Sequence, residues 1–163
     1  MKNDKIVLSC FLGIMLSCLL SLAAFYRFQQ SPRLHVLRLT PGEDLRVALQ
    51  SYVDVKKIKA ASIVSAAGSL TKTSIRYANQ EDSASLAGHF EIVSLSGIVS
   101  TGHTHLHIAI SDGQGKTIGG HVSDGNLIYT TAEIVMVEYP DLSFVRTPCP
   151  LSGYQELTVK KRD

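Results

Sequence analysis

The chain has 163 residues, a formal net charge of +2 and no tryptophan. This length suits one domain with an appended segment, and it excludes several large domains within the chain. The small net charge excludes the dense basic surface of a protein that binds nucleic acid over a whole face, so no nucleic-acid partner is expected.

The first predicted element is an uncharged apolar run over residues 6–26, "IVLSCFLGIMLSCLLSLAAFY". About 20 apolar residues suffice to cross a bilayer. Residues 1–30 are therefore interpreted as a membrane anchor, and the chain as a single-pass membrane protein. The alternative is a signal segment that is cleaved near Ala23 and releases a secreted domain. The terminal "KKRD" resembles a di-lysine retrieval signal, which for the anchored form indicates the endoplasmic reticulum.

Residues 34–160 are predicted to form one α+β domain, a mostly antiparallel sheet with one long helix. The helix is expected within residues 40–57, with Thr40 as its N-cap, Pro41 at the first helical position and Glu43 completing a capping box. Alternating or β-branched segments predict strands at residues 35–39, 60–70, 72–78, 89–100, 104–111, 116–123, 127–139 and 154–159.

Two breaks in this pattern rest on glycine and proline. The strand that begins at residue 60 is expected to stop at Gly68, since glycine in a strand weakens it. Pro140, Pro148 and Pro150 predict a loop before the last strand.

Four of the six histidines lie between residues 103 and 121. His103, His105 and His107 alternate along one predicted strand, so they project to one face with neighbours about 7 Å apart. The "DGQG" at residues 112–115 predicts a hairpin. If its loop has three residues with Gly115 in the left-handed conformation, His107 lies opposite His121 and shares its face. A two-residue loop would place His121 on the other face.

Such a group of imidazoles fits a divalent metal ion. Two neighbouring strand histidines can bind one ion at about 2.0–2.1 Å per nitrogen, and His121 would join that pair as the third ligand. Three neutral nitrogen ligands with an open fourth position favour Zn²⁺, although Ni²⁺, Co²⁺ and Fe²⁺ also accept imidazole. The other interpretation is that each histidine is an ordinary hydrogen-bonded residue.

Three blocks of the chain resemble, in order and spacing, the plants-and-prokaryotes conserved (PPC) domain. They are "GHFEIVSLSG" (Gly88–Gly97), "HLHIAISDGQGKTIGGHVSDG" (His105–Gly125) and "YTTAEIVM" (Tyr129–Met136). The resemblance covers about residues 34–159. It implies an α+β fold around a central antiparallel sheet, assembled as a homotrimer. It also implies a metal near the subunit interface, held by the residues that are here His105, His107 and His121.

The resemblance bears on two further residues and on DNA binding. His103 has no counterpart in the family and is interpreted as a neighbour of the ligands or as local surface. Glu133 matches a frequent acidic position, where it would orient a ligand histidine or act as a catalytic base; it could equally be an exposed strand carboxylate. Plant members carry AT-hooks, short Arg-Gly-Arg-Pro segments that enter the DNA minor groove. This chain contains none, so DNA binding is not carried over.

Together these patterns favour a membrane-tethered, homotrimeric protein that binds a divalent metal, with zinc favoured, and a small ligand of unknown identity. The alternative function is a metal-dependent enzyme that acts on a small substrate at the subunit interface, with Glu133 as its acid or base. A structural interaction domain with incidental histidines is the third interpretation. No Gly-x-Ser-x-Gly elbow or phosphate-binding loop occurs in the sequence.

Overall fold

The structure is a computed structural model that describes residues 13–25 and 31–162. The chain divides into two units, Met1–Ser31 and Pro32–Asp163. In the first unit, residues 13–25 are helical and their side chains are exposed. Within the described residues, no helix is both long and apolar enough to cross a membrane. This finding overturns the predicted single-pass anchor, of which residues 6–12 and Tyr26 lie outside the described ranges.

Strands dominate the second unit. They are β1 (Arg33–Leu39), β2 (Ala61–Arg76), β3 (Ala84–Ser100), β4 (His103–Ser111), β5 (Thr117–Val122), β6 (Leu127–Glu138), β7 (Leu142–Pro148) and β8 (Gln155–Lys161), and the helix α1 (Leu45–Lys56) follows β1. One antiparallel sheet has the order β1-β6-β2-β3-β4-β5, and β7 pairs with β8 separately. The predicted α+β class with one long helix is therefore wrong. The unit is mostly antiparallel β, and α1 has only 12 residues.

The helix is short because it begins later than its apparent capping box. Thr40 donates hydrogen bonds from its backbone N and its Oγ1 to the Glu43 carboxylate, at 2.6 and 2.8 Å. Only the first is a capping-box bond, because in such a box the hydroxyl oxygen accepts from the backbone N of the glutamate, whereas Glu43 N donates to the carbonyl oxygen of Thr40 at 3.2 Å. Gly42 within this segment has a φ of +87°, which no helix can contain, so the bonds close a turn instead. Asp44 is the N-cap, and its carboxylate accepts from two backbone N–H groups of the first helical turn.

Strand β2 continues through Gly68, where a strand end was predicted. A Cβ at Gly68 would overlap the carbonyl oxygen of Thr131 and the Cα of Ala132 on β6. The glycine therefore permits close approach of β6 and does not end the strand. Register shifts between Gly68 and Leu70 and between Leu70 and Lys72 absorb the irregularity.

The sheet closes on itself because β2 pairs with two strands along one edge. It pairs with β6 from Ala61 to Lys72, and with β5 at Ile75 and Arg76. Strands β2, β3, β4 and β5 therefore form a closed set in which β5 is held between β4 and β2.

The core lies between α1 and the inner face of this sheet. From the helix it receives Leu45, Leu49 and Val53, all fully buried. From β4 it receives Leu106, Ile108 and Ile110, which alternate with the histidines. Because successive strand side chains point to opposite faces, this burial directs the histidines of β4 outward.

Strand β7 occupies the segment for which prolines predicted a loop. Pro140 precedes the strand and Pro148 is its last residue, so neither interrupts the strand interior. Proline at a strand end removes no interior hydrogen bond from the ladder. The loop prediction is therefore wrong for Leu142–Pro148, but it is confirmed for residues 149–154, which include Pro150. Strands β7 and β8 form a hairpin in the register Leu142↔Lys161 to Pro148↔Gln155.

Candidate metal centre

The turn between β4 and β5 sets the relative positions of the histidines. Asp112 N donates to the carbonyl oxygen of Lys116 at 3.0 Å, and the Asp112 carboxylate accepts from the backbone N of Gln114 and of Lys116, each at 2.9 Å. Gly115 has a φ of +80°, as the three-residue loop requires. His107 consequently pairs with His121 across the hairpin. The predicted register is confirmed.

Three histidines converge on the outer face of this hairpin. The ring centroid of His105 lies 5.2 Å from those of His107 and His121, and the latter two are 5.7 Å apart. One ligand nitrogen from each ring lies within 4.8 Å of the others. Nitrogens that share a tetrahedral Zn²⁺ would be about 3.3 Å apart, so small side-chain rotations bring this set to ligand distances.

The chemistry of these rings also fits a metal. Among the described residues, no hydrogen bond involves a ring nitrogen of His107 or His121, so both have a lone pair to offer. Burial, followed by the charges of His105 and Arg76, lowers the pKa of His121 from 6.5 to about 4. Burial, followed by the Arg146 guanidinium, lowers the pKa of His105. Both imidazoles are therefore neutral at pH 7, the form in which histidine binds a metal.

The glycine pair before His121 brings the neighbouring strands close to the cluster. A Cβ at Gly119 would lie 2.6 Å from the carbonyl oxygen of Ile108, and one at Gly120 would lie 2.6 Å from that of Arg76. Both contacts are with backbone, so a larger residue would push β5 away from β4 or β2. The two glycines thus fix the place of His121 between two strands.

Two arginines flank the cluster. Arg146 of β7 has its Nη2 3.2 Å from Nδ1 of His105, and Arg76 of β2 pairs with His121 on β5. Both line a cleft of about 790 Å³, together with His103, His105 and His121. In the part of the chain that the structure describes, neither guanidinium forms an ion pair with a carboxylate. The sequence did not single out Arg146, because its segment was predicted to be a loop and no local pattern brings it to β4.

The remaining predicted residues lie apart from the three ligands. His103 lines the same cleft but is not part of the converging set. Glu133 of β6 pairs with Arg38 on β1 and with Ala67 on β2. Two strands, β2 and β3, separate β6 from β4 in the sheet order, a distance of about 14 Å at usual strand spacing. The structure therefore does not bring Glu133 to the histidines.

Comparison with known proteins decides the family. The family model of the Plants and Prokaryotes Conserved (PCC) domain matches residues 26–140. The chain belongs to this family. The predicted PPC membership, the same domain under its other abbreviation, is confirmed, whereas the added apolar segment is not supported. The β7–β8 hairpin, which carries Arg146, lies beyond the matched residues of the PCC domain.

Relatives of this PCC chain include a much longer protein. Over 131 residues the chain is 42% identical to the bifunctional protein GlmU of Synechococcus sp. (strain JA-3-3Ab), covering 80% of this chain and 21% of that protein. The chain thus spans about a fifth of the length of the two Synechococcus relatives that it matches.

Solved structures share the fold. A hypothetical protein from Salmonella enterica has a TM-score of 0.80 and 42% identity, covering 82% of this chain and 96% of that one. The metal-containing protein AF0104 from Archaeoglobus fulgidus has a TM-score of 0.67 and 27% identity, covering 77% of this chain and 93% of that one.

One plant relative corrects the predictions about partners and location. The chain is 30% identical over 112 residues to AT-hook motif nuclear-localized protein 25 of Arabidopsis thaliana, covering 64% of this chain and 37% of that protein. An AT-hook is a DNA-binding segment, so excluding a nucleic-acid partner from the charge balance was wrong. The predicted membrane location was also wrong, because this relative is nuclear-localized and no described helix is long and apolar enough to cross a membrane. The predicted function of a membrane-tethered ligand-binding protein is wrong for the same reasons. The homotrimer stays a prediction.

Proposed function

We propose that this PCC domain binds one divalent metal ion through His105, His107 and His121. The observation that carries the proposal is the convergence of one nitrogen from each ring to within 4.8 Å on a single hairpin. The name of the Archaeoglobus relative, a metal-containing protein that is 27% identical, supports it. The neutral state of His105 and His121 supports it further, because protonated imidazole cannot bind a metal.

Zinc is the favoured ion. Three imidazole nitrogens are a common ligand set for Zn²⁺, and a fourth position then stays open to water or to another ligand. A metal bound in this way supplies Lewis acidity at that open position. This chain's own residues would hold it at the mouth of the cleft that Arg76 and Arg146 line.

The test is metal analysis of the purified full-length chain with three matched variants. After dialysis against Zn²⁺ and removal of free ion, the wild type is expected to hold about one zinc per chain. His107→Ala and His121→Ala should each abolish this binding, since two imidazoles hold the ion much less tightly than three. His103→Ala is the control from the same strand and should retain most of it. An equal loss in all three variants, or no zinc in the wild type, would overturn the assignment.

A second candidate function is nucleic-acid binding. It is favoured by the AT-hook relative and by the guanidinium groups of Arg46, Arg76 and Arg146 around the histidine face. Fluorescence anisotropy with a labelled A·T-rich duplex tests it. Binding should weaken steeply as salt rises, because phosphate contacts release counterions. The double substitution Arg76→Gln with Arg146→Gln should reduce the affinity for the duplex. An unchanged affinity would show that the histidine face does not bind the duplex.

A further inference from the structure

Arg146 donates a hydrogen bond to the lone pair of His105 that a metal ion would need. A guanidinium has only donors, so in the 3.2 Å contact between Arg146 Nη2 and His105 Nδ1 the imidazole nitrogen accepts. A neutral imidazole has one accepting nitrogen and one that carries hydrogen. Nε2 of His105 therefore carries the hydrogen in this arrangement, and neither nitrogen of His105 is free to bind a metal.

Metal binding consequently requires Arg146 to leave His105. If Nδ1 binds the ion, the ion takes the place of the guanidinium. If Nε2 binds the ion, the hydrogen moves to Nδ1 and two donors would face each other. Among the residues that the structure describes, the only other hydrogen bond of the Arg146 guanidinium is a long one, from Nη1 to the carbonyl oxygen of Gln155 at 3.4 Å. The side chain can therefore move without breaking an ion pair.

The charges of the cleft beside His105 favour an anion once a metal ion is bound. Arg76 and Arg146 line the cleft together with two carboxylates, Glu81 and Glu156. These four charges cancel, so a divalent ion at the histidines adds an excess of two positive charges. An oxyanion offsets that excess, and a carboxylate or phosphate accepts two parallel hydrogen bonds from a guanidinium.

We propose that Arg146 blocks the metal site until a small molecule with a carboxylate or phosphate group enters this cleft. The oxyanion binds the guanidiniums of Arg146 and Arg76, beside the histidines that would hold the metal. The inference rests on the proposed metal site and names the class of ligand that completes it. Metal and oxyanion then bind cooperatively, and each increases the affinity for the other by the same factor.

The blocking contact is tested by Co²⁺ titration of the full-length chain in chloride buffer, read from the visible absorption of the bound ion. Arg146→Met is expected to bind Co²⁺ about tenfold more tightly than the wild type, which corresponds to the loss of one charge-assisted hydrogen bond. Arg76→Met removes the same charge from the cleft without freeing a lone pair, so its gain should be clearly smaller. Arg38→Met, which removes a guanidinium that bonds Thr131, should bind as the wild type does.

The anion is tested with acetate and inorganic phosphate, each against chloride at equal ionic strength and equal free Co²⁺. At least one of them should raise the affinity of the wild type several-fold, and the responding anion identifies the ligand class. That gain should be much smaller in Arg146→Met, where no guanidinium has to be displaced and only Arg76 remains to bind the anion, and it should also shrink in Arg76→Met. Arg146→Met binding no tighter than Arg76→Met, or no response of the wild type to either anion, would overturn the inference.

Failure of the metal site itself gives a different result. In that case neither the wild type nor Arg146→Met binds Co²⁺ in a way that depends on His107 and His121. Binding that depends on these histidines but is unchanged in Arg146→Met refutes only the role of Arg146. Thermal melting of each variant checks that it is folded, and Arg146→Gln replaces Arg146→Met if the latter is not.

Discussion

Gly97 of β3 lies directly against the backbone of His105 on β4. Gly97 has a φ of +135°, and a Cβ at this position would overlap the carbonyl oxygen of His105 and contact the Cα of Leu106. Both contacts are with main-chain atoms, so rotation of a side chain cannot relieve them. The place of one proposed ligand therefore depends on the absence of a side chain on the neighbouring strand.

Gly97→Ala is expected to destabilise the protein by about 3 kcal/mol, through an unfavourable φ and a main-chain clash. In molecules that stay folded, β4 must move and metal affinity should fall. Urea unfolding and Co²⁺ titration measure the two effects. Gly113→Ala at the hairpin tip is the control, since its Cβ would meet nothing within 4 Å. Equal stability of the two variants would show that the close approach is not needed.

Acid is expected to destabilise the metal-free protein through His121. Its pKa is about 4 in the folded chain and 6.5 without these surroundings, because burial and nearby cations disfavour the charged form. Between these values the unfolded chain binds a proton that the folded chain does not. The contribution of the neutral His121 ring to the free energy of unfolding is therefore fully present above pH 6.5 and is lost as the pH falls toward 4.

The size of this effect is measured by urea unfolding of the metal-free chain at pH 7 and pH 5. Allowing for the partial exposure of the ring, the loss attributable to His121 should be about 1 kcal/mol. His121→Gln should be less sensitive to pH than the wild type over this range. An identical pH dependence of the two proteins would contradict the assignment of the effect to His121.

Asp44 is expected to matter more to the helix than the residues of the apparent capping box. Asp44→Ala leaves two N–H groups of the first turn without their acceptor and also removes the acceptor for Gly125 N, so it should cost about 1–2 kcal/mol. Thr40→Ala removes only exposed bonds to Glu43 and should cost less than about 0.5 kcal/mol. Thermal melting compares them, and the reverse order would restore Thr40 as the cap.

Among the polar residues, Asn126 is expected to lower the free energy of unfolding most when it is replaced. It is fully buried, its Oδ1 accepts from Thr73 Oγ1 at 2.7 Å and from Ser74 N at 3.0 Å, and its Nδ2 donates to the carbonyl oxygens of Ser74 and Ser123 at 3.0 and 2.6 Å. Asn126→Ala leaves these groups buried without partners and should cost about 3 kcal/mol or more of unfolding free energy. Gln114→Ala, on the exposed turn, should change it little. Similar values for both would contradict the network.

The hairpin with its histidines was predictable because its determinants are local. Turn chemistry at residues 112–115 fixes the register, and strict alternation fixes the face, so the pairing of His107 with His121 follows from a few adjacent residues. The helix start at Asp44 could not be read in the same way. The Glu43 carboxylate accepts from Thr40 N as in a capping box, but the reciprocal bond to the Thr40 hydroxyl is absent and the backbone conformation at Gly42 is incompatible with a helix.

The sequence could not predict that Arg146 contacts His105 or that β2 continues through Gly68, and the reason is different. The approach of the β7–β8 hairpin to His105 depends on tertiary packing, and nothing near residue 146 in the sequence marks it. Gly68 stays within β2 because it packs against β6, which lies about 60 residues away in the chain. Such positions are decided by distant segments, whereas single-sequence patterns report only on neighbours.

The hairpin also bears on the order of folding. All three proposed ligands lie between residues 105 and 121, and the turn that unites them closes through bonds within residues 112–116. Hairpins of this kind form in about 1–10 μs, while pairing of distant strands, as between Arg76 and His121, is slower. An ion present while the chain emerges from the ribosome would therefore meet its complete set of imidazoles before the sheet closes, and would serve as a nucleus on which β2 and β3 assemble.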